Sequence, residues 1–334
     1  MNNPALPNEV WFQIFKYLQT ENDFLSCYYT CSRWKNMLLN IPILQKRFVH
    51  KYSLLMIGGQ FWSQMITKSI GRKIETLGNT LISTDENQLM SIGGLNQDCF
   101  ILTNGLWTFH SKLKMNRTGG TVINMPNAIY VFGGEKNPFT SEILKKGTSE
   151  WEKGPKLNMF RKLATSLQEK RFYSGNGHKL SDYELILLKN DLIIKYNTKW
   201  NHWTKFMKFE NDFICCASVL HKNQLFITGG VSVYGNKFSG QTLIVDLETK
   251  TFRKTGNLKI PRYSHGMAFV TLNDEKKLTV FGGHDEEFQM NTVEMFNKAN
   301  ESWELSEIKL EQGRNNFGYI SSPSKKALQL SHNW

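Results

Sequence analysis

Ile129-Tyr130-Val131-Phe132-Gly133-Gly134 is an unbroken apolar run that stops on two glycines. The same pattern recurs at Leu54-Leu55-Met56-Ile57-Gly58-Gly59, Leu89-Met90-Ser91-Ile92-Gly93-Gly94, Leu225-Phe226-Ile227-Thr228-Gly229-Gly230 and Leu278-Thr279-Val280-Phe281-Gly282-Gly283. A short apolar run bounded by turn residues reads as a strand covered on both faces. Glycine is the residue that ends such a strand in a sharp turn, because it reaches φ > 0 without a steric penalty. The first glycines are spaced by 35, 40, 96 and 53 residues. The interval of 96 is twice 48, so one unit has lost its diglycine. Its second strand falls either in Arg171-Phe172-Tyr173-Ser174-Gly175-Asn176-Gly177 or in Leu185-Ile186-Leu187-Leu188. Six units at a period of 35 to 53 residues indicate a repeat architecture of four-stranded propeller blades.

Each unit carries further marks. A strand-like stretch such as Leu243-Ile244-Val245-Asp246 follows the diglycine, and then an aromatic: Trp107, Trp151, Trp203, Phe252 or Trp303. A turn and a basic residue (Arg117, Arg161, Arg262, Arg314) lead into the next unit. The unit therefore reads a–b–c–d, with the diglycine closing strand b and the aromatic opening strand d. The aromatics are expected to wedge between blades.

The first 48 or so residues have a different texture. Pro7 suits the first turn of a helix. Val10, Ile14, Tyr17 and Leu18 form one helical apolar stripe, and Trp11, Phe15 and Leu18 a second. A short helix that is apolar on two sides must bury both, one of them against an external partner. Asn22 or Asp23 can cap a second helix carrying Phe24, Leu25, Tyr28, Cys31 and Trp34.

Composition narrows the function classes. The 334 residues are 40 % hydrophobic and 13 % aromatic, an ordinary globular balance with a β-rich bias. No apolar stretch is long enough for a transmembrane helix, and the N-terminus lacks the basic region of a secretory signal. Five cysteines argue for a reducing compartment, hence the cytoplasm or nucleus. The net charge is +12; residues 1–50 contribute +2 and the rest +10, with no basic run. Such a surface favours acidic partners, and no zinc-finger or RNA-binding signature points to nucleic acid. The eight histidines are scattered, no Gly-rich loop precedes a helix, and Cys215-Cys216 alternate faces of a strand, so the chain is expected to need no metal, no cofactor and no catalytic machinery.

Two family patterns coincide with these features. Leu6-Pro7-x-Glu9, Ile14-Phe15-x-Tyr17-Leu18, Asp23 and Cys31-x-x-Trp34 resemble an F-box, and the diglycine-to-Trp units resemble kelch repeats. The resemblance implies a small all-α F-box domain over residues 1–50 and an all-β six-bladed kelch propeller over 51–334, its third repeat degenerate. It further implies a substrate-recognition subunit of a cullin–RING ubiquitin ligase, not itself an enzyme. The F-box would dock on a Skp-type adaptor through Leu6, Pro7, Val10, Ile14, Phe15, Leu18, Leu25 and Trp34, and the propeller would hold a protein substrate. A kelch scaffold or cytoskeletal-type binding protein without a degradation role is the second reading.

The first unit starts directly with a b-type strand, and the chain ends with Arg314-Asn315-Asn316-Phe317-Gly318-Tyr319-Ile320, which lacks a diglycine. This C-terminal stretch is expected to supply the missing a strand and close the ring. The linker from the F-box then enters on the a–b face, leaving the b–c and d–a loops free to meet substrate. On that face lie Trp62, Arg117, Phe139, Arg161, Tyr234, Phe238, Tyr263, His284 and Arg314, aromatic and arginine types typical of binding hot spots. The arginines and the basic charge fit an acidic or phosphorylated segment.

Overall fold

The computed structural model describes residues 79–84, 88–94, 96–103, 106–134, 136–159, 176–211, 213–232, 237–272, 275–285, 288–310 and 313–315, together with the strand backbone at 54–57, 64–66, 73–75 and 318–321. By internal packing the chain divides into two units, Leu54–Phe269 with Leu278–Trp334, and Met1–Ser53 with Val270–Lys277. In the second of these the described residues belong to the tip of one β-hairpin.

Three short strands come first: β1 (Leu54–Ile57), β2 (Gln64–Ile66) and β3 (Lys73–Glu75). Five four-stranded antiparallel sheets follow, the blades of an all-β propeller. The first contains β4 (Asn79–Ser83), β5 (Leu89–Gly93), β6 (Asp98–Thr103) and β7 (Leu106–Lys112). The second contains β8 (Thr121–Asn124), β9 (Ala128–Phe132), β10 (Ser141–Lys145) and β11 (Trp151–Lys153). The third contains β12 (Gly177–Lys179), β13 (Glu184–Lys189), β14 (Leu192–Asn197) and β15 (His202–Lys208). The fourth opens after the short β16 (Phe213–Ile214) and contains β17 (Ala217–His221) and β18 (Gln224–Thr228). The short β19 (Val231–Ser232), which pairs with β16, precedes its last two strands, β20 (Thr242–Asp246) and β21 (Thr251–Thr255). The fifth contains β22 (Gly266–Leu272), β23 (Glu275–Phe281), β24 (Thr292–Asn297) and β25 (Ser302–Lys309), and β26 (Gly318–Ser321) ends the described chain. In every blade the strands lie side by side in sequence order, a meander.

The six units of the sequence pattern thus become five complete blades among the described residues. Besides β16–β19, which belongs to the edge of the fourth blade, the remaining strands stand as two pairs, β1–β26 and β2–β3. They are three or four residues long and offer few ladder bonds, and no described pairing joins β1 to β2. The C-terminal segment does meet the first strand: Leu54, Leu55, Met56 and Ile57 lie opposite Ser321, Ile320, Tyr319 and Gly318.

Burial explains the apolar runs. Strands β5 and β9 are buried along their whole length, because neighbouring blades cover both faces. The outermost strand of the fourth blade, β21, is exposed over four of its five residues. The aromatics opening the outer strands fill the seams: Trp107, Trp151 and Trp303 are at most 1 % exposed. The indole of Trp151 donates to Ser111 Oγ at 3.0 Å in the preceding blade, and that of Trp303 to Thr242 Oγ1 at 2.8 Å. Phe252, which replaces Trp in the fourth blade, has no N–H to donate and is 36 % exposed.

All four described diglycines adopt one conformation, with φ of 64° to 70° at the first residue and 100° to 107° at the second. Space demands glycine as well. A Cβ on Gly134 would lie 2.8 Å from Arg117 Cα, and one on Gly229 would lie 2.4 Å from the Arg262 carbonyl. The blade without a diglycine is resolved in favour of Leu185–Leu188: its second strand is β13, and Asn190 (φ 50°) and Asp191 turn straight into β14. A two-residue hairpin leaves no b–c loop to accommodate, so the diglycine is dispensable there.

Candidate functional site

The propeller has two distinguishable ends. At one, a–b turns meet c–d turns: Thr198 N–H donates to Tyr183 O and Leu247 N–H to Asn223 O, each at 2.8 Å. At the other, b–c loops meet the linkers between blades: Gly230 N–H donates to Arg262 O and Gly283 N–H to Arg314 O, each at 2.8 Å. The second end is the one on which the sequence reading places the substrate-facing residues.

Three of those residues come together there. Phe238, on the b–c loop of the fourth blade, stacks on Tyr263, in the linker to the fifth, with ring centroids 5.3 Å apart and planes 16° apart. Tyr263 in turn meets His284, on the b–c loop of the fifth blade, at 5.4 Å and 42°. The backbone fixes the ladder. Tyr263 and His284 exchange two hydrogen bonds of 3.1 and 3.0 Å, His284 also bridges Gln289, and Phe238 bridges Val231. Burial raises the Tyr263 phenol above its ordinary pKa, with a smaller contribution from the neighbouring Cys215, so it is a neutral hydroxyl at physiological pH. Beyond His284, Asp285 Oδ1 accepts from Phe288 N–H at 2.8 Å, while Asp285 N–H donates to Phe288 O at 3.2 Å. This turn holds the Phe288 ring outward, 68 % exposed. The sequence reading takes His284 from this loop as a site residue and leaves out Phe288, the aromatic that ends His284-Asp285-Glu286-Glu287-Phe288.

Arg117 departs from expectation. It is 2 % exposed and spends its donors inside the fold. Nε reaches Glu142 Oε1 at 3.0 Å, and Nη1 reaches Gly133 O and Thr140 O at 2.9 Å and Thr140 Oγ1 at 2.8 Å. Glu142 also accepts from the backbone N–H groups of Lys114 and Met115. Arg262 repeats the arrangement with Glu294, Gly282 and Thr292, and Glu294 accepts from the N–H groups of Lys259 and Ile260. Burial pulls both guanidinium pKa values down while the facing carboxylate pushes them back up. Arg117 is therefore a joint between linker and blade, not a residue of the binding rim. Each partner glutamate stands two residues after a threonine, in Thr140-Ser141-Glu142 and Thr292-Val293-Glu294, a recurrence the sequence reading did not use.

Phe139 is half-buried against the core shared by the second and third blades, with the buried Lys189 ammonium 5.6 Å from its ring centre. Arg314 is half-buried, its N–H bonded to Met290 O and its carbonyl to Gly283 N–H. Leu6, Pro7, Val10, Ile14, Phe15, Leu18, Leu25, Trp34, Trp62, Arg161 and Tyr234 lie outside the described residues. His265 and His284 have separate partners: His265 Nε2 pairs with Thr228 Oγ1 at 2.9 Å. Burial pushes the thiols of Cys99 and Cys216 up to about 12, which makes them poor nucleophiles. Among the described residues no cluster of His, Cys, Asp and Glu could hold a metal ion, and no helix is long and apolar enough to cross a membrane.

Residues 4–50 match the F-box-like family model. The chain is similar to the spermatocyte protein spe-26 of Caenorhabditis elegans, 23 % identical over 197 residues that cover 56 % of this chain and 32 % of that protein. It is also similar to kelch repeat and BTB domain-containing protein 1 of horsepox virus and of vaccinia virus (strain Copenhagen), each 23 % identical over 160 residues, 44 % of this chain and 28 % of the relative. The chain thus spans about a third or less of the length of these relatives. An F-box-like segment at the N-terminus precedes a β-propeller.

Proposed function

We propose that this chain is a non-catalytic substrate-recognition subunit of an SCF-type cullin–RING ubiquitin ligase, acting in the cytoplasm or nucleus. The observation that carries the reading is the order of its parts: an F-box-like match at residues 4–50, then a propeller with preorganised aromatic residues at one end. In this reading residues 1–50 dock on a Skp-type adaptor through Leu6, Pro7, Val10, Ile14, Phe15, Leu18, Leu25 and Trp34. Residues 51–334 form a kelch-type propeller, with a sixth blade assembled from the pairs β26–β1 and β2–β3. Phe238, Tyr263 and His284 face the substrate, and Trp62, Arg161, Tyr234 and Arg314 are assigned to the same surface from their order in the sequence. A rigid aromatic surface loses little conformational entropy on binding, and so suits capture of a protein segment.

Co-expression with a Skp-type adaptor tests this reading. The wild-type chain is expected to co-purify with the adaptor, and the Leu6→Ala, Pro7→Ala, Ile14→Ala variant is expected to lose it while its propeller melts normally. A folded wild-type chain that takes up no adaptor overturns the reading.

A further inference from the structure

The end at which a–b turns meet c–d turns carries exposed aromatic side chains of its own. Tyr183, in the a–b turn of the third blade, is 58 % exposed, and Trp200, in the c–d turn of the same blade, is 71 % exposed. Both turns are fixed by side-chain caps. Ser181 Oγ accepts from the N–H groups of Tyr183 and Glu184 at 3.3 and 3.1 Å. Asn197 Oδ1 accepts from those of Lys199 and Trp200 at 3.1 and 3.0 Å. Lys199 Nζ meets both rings, 5.9 Å from the centre of Tyr183 and 5.2 Å from that of Trp200. Contacts continue from here across the seam to the fourth blade. Glu184 pairs with Lys195 at 2.9 Å, and Lys195 and Lys250 both stand over the Phe206 ring, 5.8 and 5.2 Å from its centre. Lys250 lies in the c–d turn of the fourth blade, and Lys222 in the a–b turn that adjoins it, where Asn223 Nδ2 donates to Glu248 at 3.0 Å.

We infer that this end of the third and fourth blades docks an acidic segment of a partner protein, whose carboxylates meet Lys199, Lys222 and Lys250 and which covers Trp200 and Tyr183. The inference does not depend on the receptor reading, and it uses the end opposite to Phe238, Tyr263 and His284. Charge complementarity selects the occupant. Lys199, Lys222 and Lys250 are exposed, and among the described residues no carboxylate pairs with them. The carboxylates of these turns are engaged elsewhere, Asp182 by Lys179 at 2.8 Å, Glu184 by Lys195 and Glu248 by Asn223. Three ammonium groups held on capped turns attract an anionic partner and orient its approach. Exposed ion pairs are individually weak, so stable docking also needs buried area. Trp200 and Tyr183 supply it at little cost in side-chain entropy. A protein segment suits the surface better than nucleic acid does. The Asp182 side chain is 71 % exposed and Glu248 is exposed, in the same turns as Tyr183 and Lys250. A polynucleotide carries a charge at every phosphate and would meet those carboxylates, whereas acidic residues in a peptide can be spaced to reach the lysines alone.

The test titrates the full chain against a fluorescein-labelled random copolymer of Glu and Tyr and, separately, against a labelled oligouridylate of similar length. Binding of the copolymer in preference to the oligouridylate is expected, and it should weaken by about tenfold between roughly 0.1 and 0.5 M NaCl. The variant Lys199→Glu, Lys222→Glu, Lys250→Glu should lose about tenfold or more in affinity. Lys136→Glu, Lys259→Glu, Lys309→Glu changes the net charge equally at exposed positions elsewhere, and should stay within about threefold. Trp200→Ala, which alters no charge, should weaken binding about fivefold or more. All variants are compared by thermal melting, and Trp200→Ala alone carries the test should the charge reversals melt early. No binding of the copolymer, tighter binding of the oligouridylate, equal losses in the two triple variants, or an unaffected Trp200→Ala variant overturns the inference.

Discussion

Arg262 and Glu294, on a linker and on a strand 32 residues further along, meet at 2.6 Å with neither side chain exposed to solvent. The linker enters the fifth blade at the point where that blade's second strand ends in Gly282-Gly283, so one guanidinium bonds the strand end, Thr292 and the carboxylate at once. Arg117, Gly133, Thr140 and Glu142 do the same at the second blade. At the equivalent register, opposite Ser91 and Ile227, the first and fourth blades carry Phe100 and Leu243.

Removing one member of such a pair leaves an uncompensated buried charge. Glu294→Gln, and separately Arg262→Met, should each lower unfolding free energy by about 3–5 kcal/mol, whereas the Arg262→Met, Glu294→Leu double variant should recover a large part of the loss. Urea denaturation of the four proteins checks this, and single variants as stable as wild type would disprove the coupling.

The indoles allow an internal comparison. Thr242→Val strands the N–H of the fully buried Trp303 and should cost about 1–3 kcal/mol. Trp203 has no acceptor for its N–H among the described residues, so Trp203→Phe sacrifices no hydrogen bond and should cost less than Trp303→Phe. Thermal melts of the three variants rank them.

Acid should loosen the propeller near the third blade. His178 Nε2 contacts Ser218 Oγ at 2.8 Å, and burial lowers the imidazole pKa from 6.5 to about 4. The unfolded chain takes up a proton there below about pH 6.5 that the folded chain refuses until about pH 4. Stability from this residue is therefore intact above pH 6.5 and declines as pH falls from 6.5 towards 4, by roughly 3 kcal/mol in all. His265, whose pKa burial and then Arg262 also depress, acts in the same direction. Denaturation midpoints at pH 7.5, 6 and 5 should fall progressively for wild type and less steeply for His178→Gln.

A chain ending at Gly313 lacks β26 and leaves the four residues of β1 without their partners. At about 1 kcal/mol per lost hydrogen bond, the melting temperature of the propeller should drop by roughly 10 °C. Unchanged melting would show that this pairing contributes nothing to the ring.

The features legible in the sequence were those imposed by local geometry. A strand covered on both faces needs continuous apolar residues, and a φ near 70° followed by one near 104° needs glycine, so the second strands of four described blades stand out unaided. The degenerate third blade was ambiguous because Asn190 satisfies its turn without leaving a repeat mark. In the site, Phe238, Tyr263 and His284 could be assigned to one end because loop order in a meander dictates it. The burial of Arg117 was not legible in the same way, because its partners Gly133, Thr140 and Glu142 lie 16 to 25 residues away and become neighbours only once the blade is built. Side chains that serve packing and side chains that serve binding share the same loops, and only the positions of their partners separate them.

The pairing of Leu54 with Ser321 also sets an order of events on the ribosome. One strand is among the first parts of the propeller to emerge, and its partner follows more than 260 residues later. At roughly 5–20 residues per second, β1 waits some tens of seconds with an open edge. During that interval each newly made blade can fold only against the one before it, so the nascent propeller is an open arc with two unsatisfied ends. A message truncated before codon 318 would leave β1 without that partner for good.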